Sequence, residues 1–244
     1  MTTPDGKTAP SSRTAPSSRT AAPAAGGTAE PSAKGSTPQS AATEPAAAEP
    51  ATGAPPSAEG LAATIKAASK KGPPPVHLWN PPFCGDLDMR IARDGTWWYL
   101  GTPIGREALV RLFSSILKRE GDRYYLVTPV EKVGIRVDDA PFVAVDFDLD
   151  GSGADQNVTF TTHVGDTATA GPDHPIRVSR DATTGEPSPY VLIRADLWAL
   201  IDRKSFYRLI DLCAHSPHQG EDWFGLWSGG RFFPVIPSVE LDQI

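Results

Sequence analysis

The sequence predicts an α+β fold made of two tandem copies of a β-β-α-β-β motif, with a linking β-hairpin between them and a disordered tail before them. Two observations support this prediction. The stretch MRIARD (Met89–Asp94) recurs 87 residues later as IRVSRD (Ile176–Asp181), and each copy opens the same series of strand and helix patterns. All nine Phe, five Tyr and six Trp lie beyond Lys71, so the side chains that can build a large core belong to residues 72–244.

The first 60 residues are dominated by Ala, Pro, Ser, Thr and Gly and include the repeat TAPSSRTAPSSRTA (Thr8–Ala21). Such a segment has too little apolar surface to offset the ordering of its backbone, which costs roughly 1–2 kcal/mol per residue. We therefore predict a disordered tail over residues 1–60. A short helix is predicted over residues 61–72, where Leu61 and Ile65 recur at helical spacing before a glycine.

Charge and composition narrow the functional class. Residues 61–244 contain 19 Lys and Arg against 24 Asp and Glu, so nucleic acid is not an expected partner. There is neither an 18-residue apolar stretch nor an apolar signal segment, so no membrane association is expected and a cytoplasmic location is predicted. Cys84 and Cys213 are too few for a disulfide scaffold.

The first unit is predicted over residues 73–140. An Asp-Gly pair between two alternating runs is a strong hairpin signal, and a two-residue turn at Asp94–Gly95 would place Arg90, Trp97 and Tyr99 on one face. The stretch IGREALVRLFSSILKRE then has the apolar spacing of a helix that ends before a glycine. Two further strands, RYYLVT and VGIRV, complete the unit.

The second unit is predicted over residues 173–244, after a linking hairpin over residues 141–172 that alternates apolar and polar side chains. It repeats the order of the first, with the strands IRVSRD and YVLI, the helix DRKSFYRLIDLCAH, and the strands DWFGLW and RFFPVI. Asp202 is in position to cap the helix. The stretch RADLWAL (Arg194–Leu200) is predicted to add a helical turn or two that the first unit lacks.

The motif DFDLDG resembles part of a calcium loop. Asp146, Asp148 and Asp150 match positions 1, 3 and 5 of an EF-hand, and Gly151 matches position 6. The match fails at position 12, which is Asn157, and the flanks look like a half-exposed strand that enters a turn. The stretch CAHSPH likewise lacks an evident fourth zinc ligand. No cofactor is expected, because the sequence contains no phosphate-binding loop, dinucleotide fingerprint or hydrolase signature.

Three long stretches resemble a known family: WNPPFCGDLDMRIARDGTWWYLGTPIGREALVRLFSSIL, YYLVTPVEKVGIRVDDAPF and VGDTATAGPDHPIRV. Over residues 74–236 the chain is similar to the proteobacterial family of domain of unknown function 1285. The resemblance implies a two-unit fold with a repeated structural motif and involvement in signal transduction through ligand binding. It implies no catalytic residue or cofactor. The chain departs from the family pattern in its long tail and in the acidic DFDLDG turn.

The function predicted from these features is a non-enzymatic protein that binds a small molecule or a peptide in a groove between the two units. Aromatic rings would supply contact area and charged side chains would orient a polar group. The candidate ligand-binding residues are Trp79, Phe83, Asp86, Arg90, Trp97, Tyr99, Glu131 and Lys132.

Two alternatives remain open at this point. A hydrolase could use Cys84 or the Asp86/Asp88 pair, but it would need a histidine or a metal within hydrogen-bonding reach. A purely structural or oligomerisation module is the third possibility. The sequence does not indicate an oligomeric state.

Overall fold

A computed structural model describes residues 57–68 and 74–241, all within the compact unit Thr52–Ile244. Residues 1–56 of the predicted disordered tail lie outside the described residues, as do residues 69–73. The helices are α1 Ala58–Ala68, α2 Glu107–Ser115, α3 Arg203–Ile210 and α4 Ser238–Leu241, with short 3-10 turns at Val76–Leu78 and Gly153–Asp155. The strands are β1 Phe83–Ile91, β2 Trp97–Tyr99, β3 Thr102–Pro103, β4 Leu117–Glu120, β5 Arg123–Val127, β6 Lys132–Val137, β7 Phe142–Asp150, β8 Asn157–Thr162, β9 Thr167–Thr169, β10 Ile176–Arg180, β11 Pro187–Arg194, β12 Leu197–Ile201, β13 Ala214–His218, β14 Glu221–Ser228 and β15 Arg231–Pro237.

Most strands belong to two six-stranded sheets with the same strand order. The first sheet runs β3-β2-β1-β6-β5-β4 and the second runs β9-β8-β7-β12-β11-β10. Each consists of two three-stranded antiparallel meanders joined by one parallel pair, β1 with β6 and β7 with β12. The α+β class and the two repeated units are thus confirmed.

The sheet order also shows which parts of the two copies correspond. Met89–Asp94 lies at the end of β1, a central strand, whereas Ile176–Asp181 lies on β10, an edge strand that corresponds to β4. In the first sheet α2 connects the two meanders, but in the second α3 follows β12 and leads to a separate sheet of β13, β14 and β15. Along the chain, each half contains the predicted order of two strands, one helix and two strands. Each helix has one more strand before it and one more strand after it than was predicted. The two similar stretches are therefore not at equivalent positions in their sheets.

The turn between β1 and β2 contains three residues instead of the predicted two. The N–H of Ala92 donates to the carbonyl of Thr96 at 2.9 Å, and the N–H of Gly95 donates to the carbonyl of Ala92 at 2.9 Å. Gly95 has φ 86°, which matches the left-handed glycine of a three-residue hairpin loop. The Asp-Gly signal identified the hairpin correctly but not the length of its loop.

The longer loop shifts the register of the hairpin by one residue. Met89 lies opposite Tyr99, and Ile91 lies opposite Trp97. Because a one-residue shift exchanges the two faces of a strand, Trp97 and Tyr99 face the core and do not share a face with Arg90. The predicted register was wrong.

Two other predicted helical stretches are strands. The helix predicted up to Gly121 ends at Ser115, because Leu117–Glu120 pairs with β5 as an edge strand. The stretch predicted as extra helical turns contains the tight turn Ala195–Asp196, with φ 40° and 63°, followed by β12. Positive φ at both central residues fits a type I′ hairpin turn, which usually carries Asn or Gly, so this Ala-Asp pair gave no turn signal.

One hydrophobic core is shared by the first and second sheets. It includes Leu61 and Ile65 of α1, Phe113 of α2, and Phe142 and Phe160 of the second sheet, all 0–1% exposed. Trp97 stacks on Phe113 with ring centroids 6.2 Å apart. This shared core therefore joins the two halves, residues 74–140 and residues 141–241.

Candidate functional site

The eight predicted ligand-binding residues are divided among several places. Phe83, Asp86, Arg90 and Lys132 lie on the face of the first sheet that is directed away from the core, which we call the outer face. Trp97 and Tyr99 lie on the core face of the same sheet. Trp79 precedes β1, and Glu131 lies in the turn before β6.

The outer face carries a compact cluster of charged and aromatic side chains around Arg123. Its guanidinium bonds to the carboxylate of Asp86 at 2.6 Å and lies 5.6 and 5.4 Å from the ring centroids of Phe83 and Tyr125. This ion pair passes over Gly134, where an added Cβ would lie 2.0 Å from an Asp86 carboxylate oxygen. Gly134 therefore leaves room for the pair to cross β6.

Two further cations near this cluster, Lys132 and Arg90, are paired within the chain. Lys132 bonds to Glu120 at 2.9 Å and does not form the predicted pair with Glu131, whose pKa is raised by burial. Arg90 bonds to Asp138 at 2.8 Å. Because these charges have partners, the outer face has the character of a solvated sheet face stabilised by ion pairs.

Trp79 and Tyr99 make structural contacts. Lys118 Nζ donates to the carbonyl of Trp79 at 3.5 Å, and the N–H of Ala58, at the start of α1, donates to Tyr99 Oη at 3.5 Å. Both aromatic rings pack against the core. Tyr99 therefore helps to hold α1 on the first sheet.

A different site lies where the two halves meet. This inter-unit cleft has a volume of about 220 Å³. It is lined from the first half by Gly95–Trp97, Ile104, Glu107, Val110 and Arg111, and from the second half by His163 and Val164. Trp97 is 1% exposed, so it belongs to the base of the cleft.

His163 is a neutral imidazole beside this cleft. Its Nδ1 accepts from the N–H of Val143 at 3.2 Å, so the proton of the neutral ring is on Nε2. Burial lowers the pKa of His163 below its ordinary value, which keeps the ring neutral at pH 7. The ring also forms a hydrogen bond with the backbone of Gly95, so it connects the second half to the hairpin of the first half.

Trp97 has a buried donor beneath the cleft. Its indole nitrogen can only donate, and it is buried without an acceptor in the described part of the chain. A buried donor left unpaired costs about 1–3 kcal/mol, and such groups are rare in folded proteins. The indole nitrogen of Trp98 is in the same situation and does not line the cleft.

Gly95 holds the first half close to His163. An added Cβ at Gly95 would lie 3.1 Å from His163 Nε2 and 3.1 Å from Val143 Cγ2. Glycine is thus required both by the positive φ of the turn and by the packing of the turn on the imidazole ring. The Asp-Gly pair positions one wall of the cleft.

Charged groups surround the entrance. Arg111 Nη2 lies 3.4 Å from Glu107, and their side chains are 60% and 86% exposed. Two further carboxylates act on His163, those of Asp94 and Asp166. Hydrogen bonds from Thr96 lower the pKa of Asp94, and Asp166 is paired with Arg194.

A larger cleft of about 270 Å³ lies beside α3, and its charged side chains are already engaged. Arg93 bonds to Asp139 at 2.9 Å and to the Ser188 hydroxyl at 2.9 Å. Arg203 donates to Tyr207 Oη at 3.2 Å. We favour the smaller inter-unit cleft because the buried ring of Trp97 forms its base and Ile104, Val110 and Val164 supply apolar walls.

The catalytic and metal alternatives find little support in the geometry. Cys84 is exposed and its thiol donates to the carbonyl of Pro82 at 3.5 Å, and no histidine among the described residues bonds to it or to Asp86. In the predicted calcium motif, Asp146 bonds to Arg208 at 2.5 Å. In the part of the chain that the structure describes, neither Asp146, Asp148 and Asp150 nor any other set of three or more side chains is arranged to hold a metal ion.

The side chains of the CAHSPH motif make contacts in separate places. Burial raises the pKa of Cys213 to about 12, and its thiol donates to the carbonyl of Leu209 at 3.3 Å. His215 bonds to the Ser238 hydroxyl at 2.8 Å, and His218 packs against Phe232. These three side chains therefore have separate structural roles.

Sequence reasoning did not identify His163 or Arg111 as part of the site. His163 follows β8, and its neighbours Gly95 and Val143 are distant in sequence, so no local motif marks it.

None of the helices in the described segments is long and apolar enough to cross a membrane.

Comparison with known proteins supports the family resemblance. The N-terminal domain of unknown function DUF1285 matches residues 74–140, and the C-terminal domain of the same family matches residues 141–235. A crystal structure of a DUF1285 family protein from Silicibacter pomeroyi DSS-3 is 68% identical with a TM-score of 0.68, and the match covers 75% of this chain and 97% of that one. A second, from Shewanella baltica OS155, is 31% identical over 51% of this chain and 91% of its own, with a TM-score of 0.41. None of the curated proteins matches the chain. The two domain matches together span more than half of the sequence, and the chain belongs to the DUF1285 family.

Proposed function

We propose that this protein is a non-enzymatic binding protein that takes up a small organic molecule in the inter-unit cleft. The observation that carries the proposal is the lining of the cleft, in which the buried ring of Trp97 and the side chains of His163 and Arg111 lie among apolar side chains from both halves.

The dimensions and lining of the cleft support this proposal. A cavity of about 150 Å³ can hold benzene, so a volume of about 220 Å³ suits a ring with one small substituent. Ile104, Val110 and Val164 supply apolar walls, and His163 and Arg111 supply polar groups. A few polar groups within an apolar lining are typical of small-molecule sites.

Signal transduction is a further part of the proposal. A ligand in this cleft would contact both halves, so its binding would be linked to the way the halves pack. A cytoplasmic location remains a prediction from the sequence, as does the alternative of a structural or oligomerisation module.

A metabolite screen by thermal shift tests the proposal, with every hit measured again on two variants. Trp97→Phe removes the indole N–H and keeps an aromatic ring, whereas His163→Asn keeps an acceptor for the Val143 N–H and removes the Nε2 donor. We expect each variant to weaken binding of a true ligand roughly tenfold, because each changes the shape and polarity of a side chain that lines the cleft.

Trp98→Phe is the matched control. Its indole nitrogen is also buried without an acceptor among the described residues, but it does not line the cleft. Ligands that bind the wild type and both cleft variants equally well would show that the site lies elsewhere.

A further inference from the structure

We infer that His163 is a pH-sensitive switch at the junction of the two halves, and that protonation of its ring breaks the hydrogen bond to β7 and loosens the contact with the β1–β2 hairpin. This inference concerns the protein without a ligand, so it does not depend on the function proposed for the cleft.

The neutral ring contacts the backbone of both halves. Its Nδ1 accepts from the N–H of Val143, in the second half, at 3.2 Å, and the ring also bonds to the backbone of Gly95, in the first half. The packing on the hairpin is close, because a Cβ added at Gly95 would lie 3.1 Å from Nε2 and 3.2 Å from Cε1 of His163. The neutral imidazole therefore holds the turn of the hairpin against the start of β7.

Protonation is incompatible with the bond to Val143. A backbone N–H can only donate, and an imidazolium ion carries a proton on both of its nitrogens. In the charged ring, the N–H of Val143 and the Nδ1–H of His163 would point at each other, and each would be a buried donor without an acceptor. The charged ring therefore turns away from Val143 and leaves the position in which it packs on Gly95.

Two carboxylates near the ring offer the imidazolium ion acceptors. Asp94, in the hairpin, and Asp166, in the turn after β8, both attract a positive charge on His163. Asp94 accepts from the N–H of Thr96 at 2.9 Å, and Asp166 is paired with Arg194. Because a carboxylate can accept several hydrogen bonds, the charged ring can bind one of them while these partners stay in place.

The remaining charges at the junction favour neither form of the ring strongly. Glu107 and Arg111 of α2 line the cleft and form an exposed pair with each other, so their opposite charges largely offset one another. Burial opposes the charged ring and lowers the pKa of His163 below its ordinary value of 6.5. The junction is therefore closed at neutral pH, and it loosens only as the pH falls below the pKa of the folded protein.

The hairpin has a second contact with the second half that does not involve His163. Arg93 donates to the hydroxyl of Ser188 at 2.9 Å and also pairs with Asp139 at 2.9 Å. Because this contact contains no histidine, we expect the change to be confined to Gly95, His163 and the start of β7. The two halves stay joined by it and by the shared core.

His174 is a matched control in the same half of the protein. Its Nδ1 lies 3.0 Å from the carbonyl of Leu192, which can only accept, so this nitrogen carries the proton of the neutral ring. A second proton is taken up by Nε2 and leaves the bond to Leu192 in place. Protonation should therefore disturb the backbone beside His163 and not the backbone beside His174.

Amide hydrogen exchange, followed by NMR on the full chain from about pH 7.5 to about pH 5, tests the inference. After correction for the intrinsic exchange rate at each pH, the protection of the Val143 amide should fall roughly tenfold, the effect of one lost hydrogen bond. The Gly95 resonance should shift with the same midpoint as the ring nitrogens of His163. His163→Asn keeps an acceptor for the N–H of Val143 and does not titrate, so it should remove both changes, whereas His174→Asn should retain them.

The amides of the central strand β6 distinguish a local change from unfolding of the chain. Their protection should fall clearly less than that of Val143, and an equal fall in both would show that acid only unfolds the protein. The inference is also overturned if the ring of His163 titrates without a change at Val143 and Gly95, or if the ring stays neutral over the whole range. A wild-type response in His163→Asn would likewise exclude this histidine as the switch.

Discussion

Arg194 joins the two halves of the protein, and its removal gives a direct test of how they are held together. Its Nη2 donates to the carbonyl of Ser114, in the last turn of α2, at 2.7 Å, and its Nη1 pairs with Asp166. The guanidinium also lies 4.9 Å from the centroid of the Phe142 ring. One side chain of the second half therefore satisfies a helix-terminal carbonyl of the first half.

The cost of Arg194→Ala can be estimated from these three contacts. The charged hydrogen bond to Ser114 contributes about 1.5–3 kcal/mol when buried, and less here because Arg194 is 33% exposed. The partly exposed ion pair with Asp166 and the cation–π contact with Phe142 each add about 0.5 kcal/mol. Since the three contacts share one group and do not add fully, we expect a loss of about 2 kcal/mol.

Urea unfolding and calorimetry measure this loss. A change of about 2 kcal/mol corresponds to a fall in Tm of roughly 4–8 °C for a domain of this size. Arg203→Ala is the control, because Arg203 is 77% exposed and lies 3.9 Å from Glu186, so its removal should cost less than about 0.5 kcal/mol. If Arg194→Ala costs no more than Arg203→Ala, the bridge between the halves does not stabilise the fold.

Three further results are expected. Gly225→Ala should destabilise the sheet of β13, β14 and β15 by about 1–3 kcal/mol, because the added Cβ would lie 2.4 Å from a backbone oxygen. Gly134→Ala should be nearly neutral, because the flexible, exposed carboxylate of Asp86 can move away from the added Cβ. Equal urea midpoints for the two variants would contradict this difference. A thiol reagent at pH 8 should label exposed Cys84 in the native protein and spare Cys213, whose thiol has a pKa of about 12, as mass spectrometry would show; labelling of both thiols at the same rate would refute the assignment. Burial lowers the pKa of His163 in the folded protein below that in the unfolded chain. As the pH falls below about 6.5, His163 therefore binds a proton in the unfolded chain before it does so in the folded protein. The free energy of unfolding should decrease from that pH downward. This decrease should be smaller in His163→Asn, and an identical pH profile in the two proteins would be the contrary outcome.

Local features of the fold could be predicted from the sequence because they depend on neighbouring residues. The Asp-Gly pair marked the β1–β2 hairpin, and Asp202 caps α3 by accepting from the N–H of Ser205 at 2.7 Å. Loop length could not be predicted in the same way, since Asp-Gly fits both a two-residue turn and the end of a three-residue loop. That single residue moved Trp97 and Tyr99 to the core face and divided the predicted site.

Long-range pairing limited the prediction further. The parallel pairs β1–β6 and β7–β12 connect strands separated by complete meanders, and no local pattern indicates such partners. The similarity of MRIARD and IRVSRD therefore suggested an alignment of the copies that the sheet order does not follow. His163 was missed for the same reason, because its place beside Gly95 depends on how the two halves pack.

The position of the inter-unit cleft follows from the difference between the two copies. In the first sheet α2 connects the meanders and places Val110 and Arg111 at the junction, whereas in the second sheet residues 170–175 make the connection without a helix. The turn after β8 is then free to bring His163 against the Asp-Gly hairpin of the first half. An aromatic ring without an N–H at position 97 would fill the core equally well and remove an unpaired donor that costs about 1–3 kcal/mol. Since proteins often give up stability at functional sites, the unsatisfied donor of Trp97 at this junction agrees with the binding role that we propose for the cleft.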